Sequence, residues 1–248
     1  MLTEERHRII RSLLMNDSVV KLQDIMDATD ASESTVRRDL SQLEESGELV
    51  RIHGGAKRIF TVEYEPSVRE KIGQFTDEKD RIGRYAASLV EANAFIYIDA
   101  GTTTMAMIPY IQALGITVVT NGLEIASELA NRDIQTILLG GQVKPKTYAM
   151  IGSDTQKQLK QYRFSKAFIG TNGIDSQYGF TTPDIEEANI KQMAINQANQ
   201  AYILSDSSKF EKVSFCKIVE LDDATIITNQ LEASTKDKYE KYTKVKEV

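Results

Sequence analysis

The stretch Asp99-Ala100-Gly101-Thr102-Thr103-Thr104 places a carboxylate, a flexible backbone position and a run of hydroxyls side by side. It follows the apolar run Ala94–Ile98 and opens a helical pattern. At such a turn, backbone N–H groups point outward and a helix dipole favours negative charge. That is chemistry for a phosphate, although a plain turn with threonine caps has the same wording. Thr120-Asn121-Gly122, Gly140-Gly141, Gly170-Thr171-Asn172-Gly173 and Asp206-Ser207-Ser208-Lys209 close other apolar runs in a similar way. Each alone is an ordinary turn composition. Together, small polar groups, an amide and a lysine at successive strand ends suit a polyhydroxylated ligand with an anionic end. Glu187 and Lys191 stand one helical turn apart, beside an inward face of Ile190, Met193 and Ala194. They form a surface pair contributing about 0.2–0.5 kcal/mol, or they reach the strand ends. The candidate ligand set is Asp99, Gly101, Thr102, Thr103, Thr104, Asn121, Gly140, Gly141, Gly173, Glu187, Lys191, Asp206 and Lys209.

A second chemistry sits near the amino terminus. In the helical pattern from Ser34 to Ser46, Val36, Leu40 and Leu43 face inward. Ser34, Thr35, Arg37 and Arg38 therefore project elsewhere. Hydroxyls at a helix start and guanidinium groups one turn on suit phosphates and base edges in a major groove. The following stretch has Arg51, His53, Lys57 and Arg58 flanking Gly54-Gly55, with no acid between Leu49 and Val62. Glycine allows backbone amides to approach a phosphate closely. These nine residues, Ser34, Thr35, Arg37, Arg38, Arg51, His53, Gly54, Lys57 and Arg58, form the candidate DNA-contacting set. A solvated helix face and an incidental hairpin charge are the plainer alternatives.

The elements that must position these groups follow from periodicity. The spacing predicts helices over Thr3–Asn16 (capped by Thr3), Lys21–Thr29 and Ser34–Ser46, the last capped by Ser32 or Ser34 and ended by Gly47. An alternating strand from Glu48 to Ile52 and a glycine turn complete a winged helix-turn-helix. Residues 59–76 lack a clear period and contain Pro66 and Gly73, which indicates a linker. Beyond Asp77 the pattern changes to helices alternating with short apolar runs at Ala94–Ile98, Thr117–Val119, Thr136–Leu139, Lys166–Ile169, Ala201–Leu204 and Ala224–Ile227. That alternation implies a mostly parallel sheet covered on both faces, with ligands beyond the carboxyl ends of its strands. Pro109 requires a short helical piece or a kink after the Asp99 loop.

Composition narrows the function classes. The chain has 248 residues, 41% hydrophobic and 27% charged, enough apolar surface for folded domains. No apolar run approaches the ~20 residues that cross a bilayer, and the start is polar, so a cytoplasmic protein without membrane attachment is expected. One cysteine, Cys216, and two histidines exclude an internal disulfide and argue against a structural zinc site; no metal or cofactor is expected. The formal net charge is −6, and residues 1–62 are themselves net negative. A local basic cluster still carries DNA contacts within an acidic molecule.

Ser34-Thr35-Val36-Arg37-Arg38-Asp39-Leu40, with Leu43-Glu44, Gly47, Leu49 and Arg51-Ile52-His53-Gly54-Gly55-Ala56, resembles the DeoR family of bacterial sugar-operon repressors. Asp99-Ala100-Gly101-Thr102-Thr103, Thr120-Asn121, Gly140-Gly141, Gly170, Gly173, Gly179, Glu187-Ala188, Lys191 and Asp206-Ser207-Ser208-Lys209 resemble its effector domain over about residues 76–230. The resemblance implies a fold similar to ribose-5-phosphate isomerase and a phosphorylated sugar as effector. Leu2-Thr3-Glu4-Glu5-Arg6-His7, Val20-Lys21-Leu22-Gln23 and Ala31-Ser32-Glu33-Ser34 look most like the fructose-operon repressors of Gram-positive bacteria, which implies fructose 1-phosphate. In the family pattern Asp39 follows the arginine pair, so it is expected to orient a neighbouring arginine.

The expected architecture is thus α/β: a winged helix-turn-helix domain (1–58), a linker (59–76), a sugar-phosphate-sensing domain (77–233) and a C-terminal helix or tail (234–248). The expected partners are operator DNA and a phosphorylated sugar, with a homodimer or homotetramer. Two other classes remain open. In a sugar-phosphate isomerase-like enzyme, Asp99, Glu187, Asp206 and Lys209 would supply acid–base groups. In a protein-interaction winged helix, DNA would not be touched.

Overall fold

The structure is a computed structural model that describes residues 1–17, 19–58 and 67–248. The chain divides into two compact units, Met1–Thr61 and Val62–Val248. Residues 59–66 of the expected linker, and the Arg58 side chain, lie outside the described residues.

The first unit contains α1 (Thr3–Asn16), β1 (Val19–Lys21), α2 (Leu22–Thr29), α3 (Glu33–Glu45), β2 (Leu49–Ile52) and β3 (Gly55–Arg58). Ile10 and Leu14 from α1, Ile25 from α2, and Val36, Leu40 and Leu43 from α3 meet Val20, Leu49 and Ala56 in one core. The 3.6-residue spacing of those side chains is what forms the helices against each other. The wing is a three-stranded antiparallel sheet in the order β1-β3-β2. Its third strand, β1, is too short to show a period, which is why sequence patterning misses it. Gly55 permits that pairing, because a Cβ there would sit 2.1 Å from the Val20 carbonyl oxygen. Leu2, not Thr3, occupies the N-cap of α1; Ser32 occupies the N-cap of α3 as expected, but its hydroxyl bonds the Ser34 and Thr35 hydroxyls, not a backbone N–H.

The second unit runs α4 (Val68–Ile72), α5 (Thr76–Ser88), β4 (Phe95–Ile98), α6 (Thr102–Met105), β5 (Thr117–Thr120), α7 (Leu123–Ala130), β6 (Gln135–Leu138), β7 (Gln142–Lys144), β8 (Ala149–Ile151), α8 (Ser153–Leu159), β9 (Phe164–Gly170), β10 (Gly173–Asp175), β11 (Gly179–Thr182), α9 (Ile185–Asn196), β12 (Ala198–Leu204), β13 (Cys216–Val219), β14 (Thr225–Thr228), α10 (Ala233–Tyr239) and β15 (Val245–Glu247). Seven strands form a parallel sheet in the order β15-β14-β12-β9-β4-β5-β6. Both faces are covered. Ile96, Ile98, Phe168 and Leu204 pack with Ile82 and Ala86 of α5 and Ile125 of α7. Tyr97, Ala167, Ile169 and Ile203 pack on the other face with Ala188, Ile190 and Ala194 of α9. Burial on both faces explains why these strands appear in the sequence as continuous apolar runs.

The strand order reverses between β4 and β9: β5 and β6 extend one way, and β12, β14 and β15 the other. In open parallel sheets this switch leaves a crevice beyond the carboxyl ends of the two central strands. Three features depart from the sequence expectation. Within 59–76, Ser67 caps a real helix, α4, through a reciprocal capping box with Glu70. The 234–248 segment is α10 followed by β15, which joins the main sheet beside β14 and is no free tail. A hairpin (β7–β8) and a small antiparallel sheet (β10-β11-β13) stand apart from the main sheet, formed from strands of three or four residues.

Candidate DNA interface and effector pocket

In the first unit, Ser34, Arg37 and Arg38 are exposed on α3, with Thr35 half-buried; Arg51, His53, Gly54 and Lys57 are exposed on the wing. Arg51 ties the wing to the helix: its guanidinium donates to Ser41 Oγ at 2.6 Å, and its backbone N–H donates to Glu44 Oε1 at 2.9 Å. Arg37 is held by Glu33 one turn back, at 2.8 Å. Among the described residues Arg38 has neither an ion pair nor a hydrogen-bond partner, so its guanidinium is available to an incoming acceptor. Gly54, at φ 81, makes the tip of the wing in a conformation that side chains disfavour.

Asp39 does not orient Arg37 or Arg38. It points the other way, into the unit, where Arg6 of α1 grips it through two bonds of 2.6 and 3.0 Å and His7 Nε2 lies 3.4 Å away. A buried carboxylate thus pins α3 to α1. Asp39→Ala removes the carboxylate partner of Arg6 in a partly buried setting and leaves the guanidinium only Met1 O and Thr3 Oγ1. The variant is expected to lower the melting temperature of this unit by roughly 5 °C or more, measured by calorimetry; an unchanged midpoint would remove Asp39 from this role.

In the second unit, the switch between β4 and β9 is occupied by Asp99. Its Oδ2 accepts from Gly170 N at 3.0 Å and makes a short ion pair with Lys191 Nζ, reaching in from α9. Asp99 is 1% and Lys191 4% exposed. Burial pushes the Asp99 carboxyl above the usual range, against the Lys191 charge and the Gly170 N–H, which pull it down. Asp99 Oδ1 is buried without a partner among the described residues. Glu187, also on α9, is equally sequestered: it accepts from Thr147 Oγ1 at 2.6 Å and pairs with Lys144 at 3.2 Å. Glu187 and Lys191 are therefore no surface pair. Each has its own partner beneath the strand ends.

Above this layer lies a polar pocket of about 60 Å³. Gly101, Thr102 and Thr103 form one wall, Thr171 and Asn172 from the loop after β9 another, and Glu187, Lys191, Asp206 and Lys209 complete the sheet side. Lys71 of α4, Gln74 and Phe75 of the turn after it, and Lys79 of α5 close it. Lys79 is 6% exposed, and its ammonium donates to the Lys71 carbonyl at 2.6 Å. Burial lowers its pKa; nearby Asp206 opposes that shift and Lys209 adds to it. Four lysines from several elements, Lys71, Lys79, Lys191 and Lys209, thus line one small space beside two carboxylates, Glu187 and Asp206, a net positive lining that favours an anion. The dipole component of the expectation is weaker, because α6 spans a single turn before the Pro109-containing 3-10 turn at Ile108–Tyr110.

The DeoR C terminal sensor domain family matches residues 74–230, and the DeoR-like helix-turn-helix domain family matches residues 6–62. A Bacillus subtilis protein named an uncharacterized HTH-type transcriptional regulator FruR is 47% identical over 249 residues, covering 100% of this chain and 99% of that protein. The chain belongs to the DeoR family. A lactose phosphotransferase system repressor of Staphylococcus epidermidis is 35% identical over 243 residues, covering 95% of this chain and 96% of the relative. Among solved structures, ribose 5-phosphate isomerase A from Methanocaldococcus jannaschii aligns with a TM-score of 0.41 at 16% identity, over 54% of each chain. This DeoR-family chain is a helix-turn-helix transcriptional regulator with a sensor domain, and no helix among its described residues is long and apolar enough to cross a membrane.

Within the DeoR sensor domain, several predicted ligand residues stand behind the pocket wall or away from it. The Asn121 amide accepts from Tyr97 OH at 2.9 Å and Ala100 N at 3.0 Å, so it braces the Asp99 loop. Thr104 turns its hydroxyl back onto the Asp99 and Gly101 carbonyls. Gly140 bonds α8 through Thr155 and Gln158, and a Cβ on Gly141 would lie 2.1 Å from Thr155 Oγ1. Gly173 packs against the Lys212 carbonyl. The sequence pattern groups them with the pocket because every strand end in such a sheet needs a turn. Conversely, it omits Lys71, Gln74, Phe75, Lys79 and Thr147, and it marks Thr171 and Asn172 as a polar strand end without placing them in the ligand set. Lys79 carries a signal: it lies three residues before Ile82 and seven before Ala86, on the inward face of α5.

Proposed function

We propose that the chain represses a sugar-utilisation operon by binding operator DNA through α3 and the wing, and that a phosphorylated sugar in the polar pocket releases it. The convergence of Lys71, Lys79, Lys191 and Lys209 on the crevice at the strand-order reversal carries the effector half of this reading. The phosphate faces those ammonium groups and the Gly101–Thr103 backbone; Thr147, Thr171, Asn172 and Asp206 offer partners to sugar hydroxyls. Fructose 1-phosphate is the effector implied by the amino-terminal resemblance, and a relative named for a lactose phosphotransferase system extends the panel to other sugar phosphates. Release requires the ligand to favour the arrangement that does not bind DNA, since equal affinity for both states shifts nothing. A single winged unit reads few base pairs, so a dimer or tetramer supplies the second half-site. The regulator family of the chain favours this reading over an isomerase-like enzyme, for which pentose and hexose phosphates would be turned over.

The contact surface comprises Ser34, Thr35, Arg37 and Arg38 on α3, with Arg51, His53, Gly54, Lys57 and Arg58 on the wing. Arg38→Ala and Arg51→Ala are each expected to weaken operator binding about tenfold or more and to reduce the slope of log affinity against log salt by about 1. Fluorescence anisotropy at several salt concentrations measures both. Unchanged affinity and slope in both variants would favour a winged helix that never touches DNA.

A further inference from the structure

Beside the polar pocket lies a second chamber of about 270 Å³ that a phosphorylated polyol does not explain. Its walls are Val68 and Ile72 of α4, Met105, Ala106 and Pro109 around α6, and Ile125 of α7. The two spaces are continuous in their lining, because Val68, Lys79, Gly101 and Thr102 border both. Sugar hydroxyls placed against the apolar walls would lose water without gaining partners, which is unfavourable. An apolar group gains there. A dry cavity of about 150 Å³ already accepts benzene, so this chamber has room for a ring-sized substituent. Ile72 is 56% exposed at its edge, an apolar side chain that such a guest would cover.

Charge sets the orientation of the guest. Asp80 and Glu124 also border the chamber, and Asp80 is engaged by the Tyr110 hydroxyl. Carboxylates there disfavour an anionic end, while the lysines next door favour one. A ligand anchored in the polar pocket by its phosphate can extend a further substituent across the wall that the two spaces share. We propose that the chamber binds an apolar, ring-sized group of a ligand whose phosphate occupies the polar pocket, making the sensor responsive to phosphate esters of the aryl or alkyl-substituted class. This rests on the phosphate-binding reading of the polar pocket.

Titration of the full chain with inorganic phosphate, benzyl alcohol and benzyl phosphate tests it, using calorimetry together with methyl NMR of Met105, Ile72 and Ile125. Benzyl phosphate is expected to bind at least tenfold more tightly than inorganic phosphate and to shift those methyls. Ala106→Phe fills the chamber from outside the polar pocket; it should abolish the tenfold advantage and the methyl shifts while leaving inorganic phosphate affinity unchanged. Equal affinities for benzyl phosphate and inorganic phosphate, or unmoved methyls in the wild-type chain, would overturn the proposal whether or not Ala106→Phe folds. Should inorganic phosphate itself fail to bind, the effector reading fails separately. In that case methyl shifts from benzyl alcohol support the apolar site, and their absence overturns it too.

Discussion

Lys191→Met is expected to destabilise the α/β unit by about 3–5 kcal/mol at pH 8, because it leaves a buried carboxylate without its cation. Asp99 and Lys191 are both sequestered, and the pair bridges α9 to the end of β4 at the strand-order reversal. Burial already raises the Asp99 carboxyl in the native chain, so this group binds its proton more readily folded than unfolded. Its contribution to stability therefore declines as pH rises from the unfolded value through the folded one. Without Lys191 the folded value climbs further and that window widens upward. The deficit of the variant relative to wild type should accordingly shrink at pH 6. Urea unfolding at the two pH values measures this. A deficit below about 1 kcal/mol, or one that does not change with pH, would show that the pair is of little consequence.

Lys79→Met is expected to behave in the opposite way. The ammonium is buried, its lowered pKa comes mainly from desolvation, and its hydrogen bond goes to a backbone carbonyl. Methionine keeps the length of the stem and removes the costly charge, so folding stability should be unchanged or improved. Effector affinity should fall, because a charge-assisted hydrogen bond contributes about 1.5–3 kcal/mol, or roughly 10–150-fold. A residue that lowers stability yet is required for the ligand is what an anion site demands. Calorimetric titration with fructose 1-phosphate alongside a thermal melt separates the two effects. A variant that loses stability but keeps its affinity would place Lys79 in the scaffold and not in the site.

How far the sequence alone reaches depends on how local each determinant is. The central strands β4, β9 and β12 show themselves because burial on both faces makes unbroken apolar runs. The helices α1 to α3 show themselves through core residues at helical spacing. β1, β7, β8 and β15 are three residues long and carry no period, so only their pairing reveals them. The Asp99 loop and the Asp206–Lys209 turn are visible as polar strand ends. What those ends do differs: Asn121, Thr104 and Gly140 hydrogen-bond within the scaffold and Gly141 packs tightly against Thr155, while Gly101, Thr102, Thr103 and Lys209 line the pocket. Nothing in the composition separates the two classes, because an amide suits a loop brace as well as a ligand contact. Likewise the Arg6–Asp39 clamp joins residues 33 positions apart and has no local signature.

On the proposed function, an anion in the crevice above Asp99 controls DNA binding by the winged unit. The most direct measurement is a mobility-shift titration of the full chain on a selected operator duplex with a panel of sugar phosphates, run in parallel on wild type and Lys79→Met. A phosphorylated sugar, fructose 1-phosphate first, is expected to free the wild-type complex at concentrations that leave Lys79→Met bound, while both proteins hold the operator equally without ligand. Release of neither protein by any sugar phosphate, or release of both at the same concentration, would contradict it.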